Sequence, residues 1–439
     1  MKILQVEGSK KPLFNWCPNV EQGALDQITS ILKLPFVEHG SLMADAHLGM
    51  QMPIGGVVAT NNVIVPNWVG VDEGCGMIAV KTNLTKSQLE DMDLRKRIHH
   101  SASRGVPMGF SHNTQKRMNT LRNRLQNKVN YIFDKTGIDN LDDFQVLKHA
   151  EKDLWSQLGT LGGGNHFMEV DYDEDDMIWI VIHSGSRNMG KKICEYFNRV
   201  AEEENKKWHS IDTGGIPFLP VNTPEGKGFL AWLDFALRFA YLNRAVMMNE
   251  VKEALLHEFP NVEFEPEINI HHNYVVIENH FGKNVWVHRK GATSAKLDET
   301  GIIPGSMGTA TYITKGLGNT NSLMSCSHGA GRKMGRKAFN VQANTPEMME
   351  KIKKSMEGIV YTKFAKETNR KRKETGNLDV SEASDAYKNI EDVMGNQTDL
   401  VKPIHRLLPY INWKDAGGDC EGYLGLSLQT ESGEVEDIV

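Results

Sequence analysis

Short β-branched runs closed by glycine, proline or asparagine recur along this chain, and they constrain its fold more than any other feature. The runs Ile54–Thr60, Asn62–Pro66 and Met77–Lys81 are of this kind and are typical of strands. Residues 85–158 instead carry apolar side chains at three- and four-residue spacing, which indicates helices. This alternation predicts an α/β protein with a β-sheet core and helical excursions.

The middle of the chain continues the pattern. The sequences HFMEVDY and MIWIVIH flank the acidic turn Asp173–Asp176 and predict a hairpin. Strands are also expected in INIHHNYVVIENHFG and NVWVHRKG, and helices at residues 191–209 and 228–259. A glycine-rich segment spans 301–318, and a long helix is predicted over 346–374. Because no repeat or low-complexity linker divides the chain, we expect one large domain.

Composition narrows the class of protein. A chain of 439 residues with 40% hydrophobic and 24% charged residues is typical of a soluble globular protein. No apolar run approaches the about 20 residues that cross a bilayer, and the first residues lack a signal segment. Five cysteines without CxxC spacing exclude a disulfide scaffold and predict a cytoplasmic location. The net charge of −6 means that any nucleic acid would need a local basic patch.

Metal-binding side chains stand next to glycine at predicted strand ends. The candidates are Asp72 and Cys75 in VDEGCG, His166 in GGGNHF, His183 in IHSGSR, and the adjacent His271 and His272 in HHNY. A single strand-end histidine is more often a surface residue, and a lone cysteine is more often a small buried hydrophobe. Four such segments together favour a metal site. Thiolate, carboxylate and imidazole ligands suit Mn, Fe, Co or Zn without choosing among them.

Two glycine-rich segments, 304–310 and 328–332, can bind phosphate through successive backbone N–H groups. Neutral imidazole is abundant at pH 7, so His328 beside the second segment is a candidate nucleophile toward phosphorus. The alternative is a glycine turn in which His328 only caps a helix. The sequence lacks GxxxxGK[ST], a strand followed by GxGxxG, and a complete KxDG, since Lys296-Leu-Asp-Glu has no glycine. A P-loop, a Rossmann site and a lysine nucleotidyltransferase are therefore not supported.

These segments occur together and in order as VDEGCG, LGGGNHFME, HSGSR, HHNY, RKGA, IPGSMGTA and SCSHGAGR. In this combination the chain resembles the RtcB-type RNA ligases, the bacterial members above all, from Asp45 to Lys414. The resemblance implies a single α/β catalytic domain over 1–414, followed by an acidic C-terminal extension over 415–439. It also implies a deep pocket with two Mn²⁺ ions, for which Zn, Co or Fe are alternatives.

The resemblance implies a role for each motif residue. The implied metal ligands are Cys75 bridging both ions, Asp72 and His183 on one ion, and His166 and His272 on the other. His328 is the residue that takes GMP from GTP. The nucleotide is expected to contact Asn165, Glu169, Ser306, Thr311, Ala330, Gly331, Tyr387 and Lys414. The RNA phosphates are expected to contact Arg187, Arg332 and Arg336.

The reaction that the resemblance implies joins RNA ends. GMP passes from His328 to an RNA 3′-phosphate, and the 5′-OH of a second end then expels it, after any 2′,3′-cyclic phosphate has been opened. Fragments of tRNA or ribosomal RNA are the expected substrates, in RNA repair or tRNA splicing, and an accessory activator protein is among the expected partners. The loop from Asp45 to Pro53 departs from the glycine-rich form usual in the family.

Two other functions stay open at this point. The segments Asp45-x-His47 and Gly164-Asn165-His166 echo the motifs of calcineurin-like metallophosphoesterases, but the intervening GDxxD and the later GHxH are absent. A non-catalytic RNA-binding protein would use the basic run over 370–373, although the overall acidity opposes it. Covalent labelling by GTP with Mn²⁺ would separate a ligase from both.

Overall fold

The structure is a computed structural model, and it describes residues 1–138, 150–368, 374–415 and 420–422. Within these ranges the strands are β1 (Lys2–Leu4), β2 (Leu13–Asn15), β3 (Val37–His47), β4 (Ile54–Thr60), β5 (Val63–Ile64), β6 (Gly76–Thr85), β7 (Phe167–Tyr172), β8 (Met177–Ser184), β9 (Leu219–Pro220), β10 (Ile268–His271), β11 (Asn273–His280), β12 (Lys283–Lys290), β13 (Ala292–Ser294), β14 (Thr300–Pro304), β15 (Thr311–Gly316), β16 (Ser325–Ser327), β17 (Val360–Thr362), β18 (Lys366–Thr368), β19 (Glu374–Leu378), β20 (Val401–Trp413) and β21 (Cys420–Gly422).

The α-helices in the same ranges are α1 (Gln22–Leu32), α2 (Met92–Gly105), α3 (Gln115–Thr136), α4 (Ala150–Gln157), α5 (Asn188–Lys207), α6 (Pro224–Glu258), α7 (Arg336–Ala343), α8 (Pro346–Ser355) and α9 (Ile390–Gly395). Short 3-10 turns lie at Pro66–Trp68, Lys86–Leu89, Thr320–Ser322 and Ser384–Ala386. No helix of these ranges is long and apolar enough to cross a membrane.

Two sheets contain most of the strands. The larger one has the order β10-β6-β8-β7-β20-β15-β14, with β17 also paired to β20 and β21 paired to β17. The smaller one has the order β1-β2-β3-β4-β12-β11. Neighbouring strands are antiparallel except for the pairs β2–β3 and β17–β20, which are parallel. The predicted mixed α/β architecture with a β-sheet core is confirmed.

Helix α6 covers one face of the larger sheet. It begins after Thr223, whose hydroxyl accepts a hydrogen bond from the Gly226 N–H, and Pro224 occupies its first turn. The helix packs on β6 and β8 and also contacts α2, α3 and α5. Because neighbours lie on several sides, apolar residues such as Phe229 and Phe239 are buried around much of its circumference. This helix supports the strands whose ends carry the candidate ligands.

The register of the larger sheet brings those strand ends to one edge. His183 near the end of β8 pairs with Met77 of β6 and with Phe167 of β7. Gly76 at the start of β6 pairs with His271 at the end of β10. Cys75 directly precedes β6, His166 directly precedes β7, and His272 directly follows β10. These three residues therefore lie at the same edge of the sheet as His183.

The predicted hairpin and the helices predicted before residue 260 are confirmed with small changes in their bounds. β7 and β8 form the hairpin, and α5 and α6 correspond to the helices expected at 191–209 and 228–259. The region 85–158 contains α2, α3 and α4, and its residues 139–149 lie outside the described ranges. The basic run over 370–373 and most of the extension over 415–439 also lie outside them.

The single long helix predicted over 346–374 is wrong. Helix α8 ends at Ser355, Gly358 follows with a φ of +79°, and the chain then enters β17. β17 pairs in parallel with β20 and joins the larger sheet. This pairing with a distant strand overrides the local helical spacing, which contains no information about it.

Candidate metal and nucleotide site

Cys75 lies at the centre of a buried cluster of imidazole rings. Its Sγ is 3.3 Å from His166 Nε2 and 3.2 Å from His183 Nε2. The His183 Nε2 is in turn 3.2 Å from His272 Nε2, and Asp72 Oδ2 is 3.1 Å from His166 Nε2. The five residues that were predicted as metal ligands are therefore brought together in one place.

Two rings of the cluster also contact backbone carbonyl groups through Nδ1, on the side away from Cys75. His166 Nδ1 is 2.9 Å from the Leu161 carbonyl oxygen, and His183 Nδ1 is 3.1 Å from that of Asn165. A carbonyl only accepts, so the Nδ1–H of His183 donates to it and its Nε2 keeps a lone pair that faces Cys75. His166 faces an acceptor on both sides, the Leu161 carbonyl at Nδ1 and the Asp72 carboxylate at Nε2. Lone pairs that converge without enough protons form the donor set of a divalent cation.

Burial sets the protonation of the cluster. Burial, together with the nearby Asp72 carboxylate, raises the pKa of the Cys75 thiol well above its usual value. Burial also lowers the pKa values of His183 and His272 well below that of a free imidazole. Neutral imidazole is the form that binds metal, whereas the thiol has to lose its proton when a cation binds. Metal binding at this site therefore releases a proton.

The predicted metal ligands were grouped as Asp72 with His183 and His166 with His272, whereas the contacts among these side chains follow a different pattern. In the structure Asp72 contacts His166, while the rings of His183 and His272 lie 5.0 Å apart between centroids. The reason is the strand order. β10 and β7 stand on opposite sides of the β6–β8 pair, so His272 and His166 occupy opposite ends of the cluster.

Of the two adjacent histidines, His272 joins the cluster and His271 turns away from it. His271 Nδ1 lies 3.0 Å from the Gly74 carbonyl oxygen and 3.2 Å from Arg244 Nη2. The ring of His272 faces His183 on one side and His328 on the other. This placement supports the choice of His272 as the ligand.

His328 extends the row of imidazole rings, with its centroid 4.9 Å from that of His272. Its Nδ1 is 2.6 Å from Asp45 Oδ2, and its backbone N–H donates to the same oxygen at 3.2 Å. The carboxylate thus holds the ring through Nδ1, and Nε2 has no hydrogen-bond partner among the residues that the structure describes. Asp45 is completely buried, which raises its pKa, but His328, His47 and Lys388 together outweigh burial and lower that pKa below its usual value.

A cavity of about 250 Å³ opens beside His328. The predicted site residues that line it are Asn165, His183, Ser306, His328, Ala330, Gly331, Arg332, Arg336, Tyr387 and Lys414. Gly331 has a φ of +71°, and a Cβ there would lie 2.3 Å from the Asp45 carbonyl oxygen. Only glycine fits this turn, which lets the backbone of the SHGAGR segment form a wall of the cavity.

Three predicted contacts do not line this cavity. Glu169 is buried in β7 and accepts a hydrogen bond from Asn412 Nδ2 at 2.6 Å, and burial raises its pKa to about 8. Thr311 is buried at the start of β15, opposite Pro304. Arg187 lies behind the cluster of candidate metal ligands, with Nη1 3.4 Å from His166 Nδ1.

Glu382 was not predicted from the sequence, and it forms ion pairs with the basic side chains that line the cavity. Its carboxylate lies 2.7 Å from Arg336 Nε, 3.2 Å from Arg332 Nη1 and 3.2 Å from Lys414 Nζ, and it accepts the Tyr387 hydroxyl. Burial raises the pKa of Glu382, but the surrounding cations outweigh it and lower the pKa to about 2. Three cations around one carboxylate leave this end of the cavity with an excess of positive charge, which favours anions.

Asp45 was also missed as a site residue, although its segment opened the predicted resemblance. The signal was the pattern Asp45-x-His47, which places a carboxylate and an imidazole at the end of β3. His47 lines the cavity. Glu382 offered a weaker signal, since it precedes the expected nucleotide contact Tyr387 by only five positions.

Converging metal ligands beside a histidine and a cationic cavity are features of metal-dependent enzymes that transfer phosphoryl groups. A protein-family model described as tRNA-splicing ligase RtcB matches residues 27–415. The RNA-splicing ligase RtcB of Escherichia coli strain K12 is 35% identical over 421 residues, which cover 92% of this chain and 97% of that protein. The chain therefore belongs to the RtcB family of RNA ligases, as its motifs predicted.

Archaeal relatives extend the same comparison. The tRNA-splicing ligase RtcB of Methanococcus maripaludis is 29% identical and covers 85% of this chain and 87% of that protein. The tRNA-splicing ligase RtcB of Thermococcus kodakarensis is 27% identical and covers 84% of this chain and 86% of that protein. The similarity spans nearly the full length on both sides.

Proposed function

We propose that this RtcB-family protein is a GTP-dependent ligase that joins RNA 3′-phosphate or 2′,3′-cyclic phosphate ends to 5′-OH ends through a covalent histidine–GMP at His328. The observation that carries the proposal is the position of His328. Asp45 holds its Nδ1 at 2.6 Å, its Nε2 is left free, and its ring adjoins both the metal-binding cluster and the cationic cavity.

The chemistry of the donor set fits two divalent cations, with Mn²⁺ as the expected metal and Zn, Co or Fe as alternatives. Cys75 would be shared, Asp72 and His166 would hold one ion, and His183 and His272 would hold the other. The bound ions would neutralise charge on phosphoryl oxygens. The close contacts among one thiol, one carboxylate and three imidazoles support this assignment.

His328 performs the first group transfer. Its Nε2 attacks the α-phosphorus of GTP, an N–P bond forms, and the bond to pyrophosphate breaks. The Nδ1–H remains hydrogen-bonded to Asp45, whose negative charge stabilises the ring as it gains positive charge.

The remaining steps transfer GMP and seal the RNA. An oxygen of the RNA 3′-phosphate attacks the GMP phosphorus, the N–P bond breaks, and an RNA-3′-pp-5′-G end forms. A 2′,3′-cyclic phosphate is first hydrolysed to the 3′-phosphate. The 5′-OH of the second end then attacks the 3′-phosphorus, loses its proton, and GMP leaves.

The cavity lining supports the assignment of nucleotide and RNA contacts. The residues proposed to bind the nucleotide are Asn165, Ser306, Ala330, Gly331, Tyr387 and Lys414, with Glu169 and Thr311 behind them. Arg187, Arg332 and Arg336 are proposed to bind RNA phosphates, since guanidinium groups bind phosphate through two parallel hydrogen bonds. Glu382 forms ion pairs with Arg332 and Arg336, so a phosphate that enters the cavity has to compete with this carboxylate for the two guanidinium groups.

Several expectations stay predictions. They are tRNA or ribosomal RNA as the substrate, an accessory activator as a partner, a cytoplasmic location, and the boundary between a catalytic domain over 1–414 and an extension over 415–439.

Labelling with GTP tests the nucleophile. Incubation with α-labelled GTP and Mn²⁺ should label the full chain, and His328→Ala should remove the label. The matched control is His257→Ala, because the side chain of His257 is 81% exposed at the end of α6. Label that persists in His328→Ala would sink the assignment of the nucleophile.

A further inference from the structure

Helix α3 is the most basic helix of the described ranges, in a chain whose net charge is −6. Between Gln115 and Thr136 it carries six lysine or arginine residues and a single aspartate, Asp134. Charge that is concentrated on one helix of an acidic protein is the electrostatic pattern of a polyanion-binding surface. The proposed catalytic residues lie on other elements, so the mechanism does not account for it.

The basic side chains share one side of α3. Arg117, Arg124, Lys128 and Lys135 follow one another at spacings of seven, four and seven residues, which places them on one stripe. Arg117 is paired with Glu250 at 3.0 Å. Arg124 and Lys128 are exposed and form no ion pair within the described part of the chain.

A groove runs beside this stripe, between α3 and α6. Its volume is about 700 Å³, and aliphatic side chains form its floor. Lys128 and Tyr131 of α3 and Arg238 and Tyr241 of α6 line it, and the two tyrosines are 54% and 49% exposed. Arg238 shares its charge with Asp234, which also lines the groove. Exposed aromatic rings next to cations are the combination that binds single-stranded nucleic acid.

A short series of contacts connects the loop before α3 to the cluster of candidate metal ligands. In the loop before α3, the Gly109 N–H donates to the Gly162 carbonyl oxygen at 3.0 Å. Gly162 lies so close to Arg187 that a Cβ there would be 2.0 Å from Arg187 Nη1. Arg187 Nη1 in turn lies 3.4 Å from His166 Nδ1. The basic stripe therefore begins one loop away from the site of the reaction.

We propose that the stripe and the α3–α6 groove bind the RNA strand beyond the ends that are joined. Arg124 and Lys128 bind phosphates, and Tyr131 and Tyr241 stack on unpaired bases. The cavity at His328 has a volume of about 250 Å³, so an RNA strand beyond its reacting end has to lie outside it. The inference rests on the proposed RNA-joining function and adds a preference for long, partly single-stranded fragments over short ones.

Binding of two RNAs by the full-length protein tests this surface. The short RNA has about four nucleotides, and the long RNA is several times longer than about 16 nucleotides. Single-strand-binding domains contact between about four and about 16 nucleotides. Two variants are compared with the parent, Arg124→Ala/Lys128→Ala and Tyr131→Ala/Tyr241→Ala, all at exposed positions. The matched control is Lys206→Ala/Lys227→Ala, which removes two exposed cations from α5 and α6.

We expect each groove variant to lose about tenfold in affinity for the long RNA, relative to its affinity for the short RNA. In the cation variant, the slope of log affinity against log salt should also become shallower by about 1.4, for two phosphates of a single strand. The proposal would be overturned if the control pair lost as much affinity for the long RNA as the groove variants. It would also be overturned if both groove variants kept the parental affinity, which is the result expected if the groove binds an acidic protein instead. GTP labelling of the parent is measured in parallel, because its absence would contradict the proposed function rather than the groove.

Discussion

At the residue scale, the contact between Asp45 and His328 organises the reaction centre. One buried carboxylate oxygen of Asp45 accepts hydrogen bonds from both the ring Nδ1–H and the backbone N–H of His328. Hydrogen bonds to a charged group contribute about 1.5–3 kcal/mol, and two of them on one oxygen restrict rotation of the ring. A nucleophile held in this way keeps its Nε2 directed at the cavity without reorganising for each turnover.

Asp45→Asn should slow the labelling of His328 by GTP. The amide can donate to Nδ1, which would move the proton of the ring to Nε2 and remove the lone pair that attacks phosphorus. Loss of the correct tautomer lowers the rate by about 10⁴-fold in a comparable histidine–carboxylate pair. Single-turnover labelling measures the effect, and Asp26→Asn on the exposed face of α1 is the control. Metal content should stay at the parental level, and a parental labelling rate would contradict the role of Asp45.

At the scale of elements, turns at one edge of the larger sheet hold the ligands by close contact. The turn after β8 packs against the turn before β6, where the Ser186 hydroxyl donates to the Glu73 carbonyl oxygen. A Cβ on Gly185 would lie 2.3 Å from Asp72 Oδ1. The glycine is therefore needed for the close approach of the two turns, which places Asp72 against His166.

Gly185→Ala should weaken metal binding while leaving the sheet intact. The added methyl group cannot coexist with the Asp72 carboxylate in its present position, so the ligand has to move. Displacing groups that orient a ligand costs about 10–100-fold in metal affinity. Titration calorimetry with Mn²⁺ measures this, and Gly395→Ala is the control because a Cβ there meets nothing within 4 Å. Equal affinity in Gly185→Ala and the parent would show that Asp72 is not a ligand.

At the scale of the whole molecule, the cluster connects parts of the chain that are far apart in sequence. Cys75, His166, His183 and His272 belong to the ends of four strands of the larger sheet, and α6 supports those strands from one face. A cation bound by all of them is bound only in the folded state. Metal binding should therefore stabilise the protein against unfolding.

Mn²⁺ should raise the melting temperature, and the rise should be larger at about pH 8 than at about pH 6. Burial raises the pKa of the Cys75 thiol, so a proton has to leave when the metal binds, and metal affinity increases as pH rises. One released proton contributes about 1.4 kcal/mol per pH unit. Scanning calorimetry with and without a chelator measures the shift. The same shift at both pH values would show that the thiol is not a ligand, and Cys75→Ala should lose this pH dependence.

The sequence by itself predicted several of the strands, most of the helices and the candidate ligands that the structure brings together. β7 and β8, for example, follow from β-branched runs on either side of an acidic turn, and the ligand histidines follow from their place beside glycine at strand ends. These signals are local, because side-chain alternation and turn chemistry depend on a few neighbouring residues. The ordered motifs added the family, which the comparisons confirm.

Only the tertiary structure decided how those residues are grouped. It placed Asp72 with His166, ended α8 at Ser355 so that β17 could join the larger sheet, and brought Glu382 to the cavity cations. It also set Asp45 against His328 across 283 positions of sequence. Contacts over such separations depend on strand order and on how turns pack, and neither is encoded in the spacing of nearby residues.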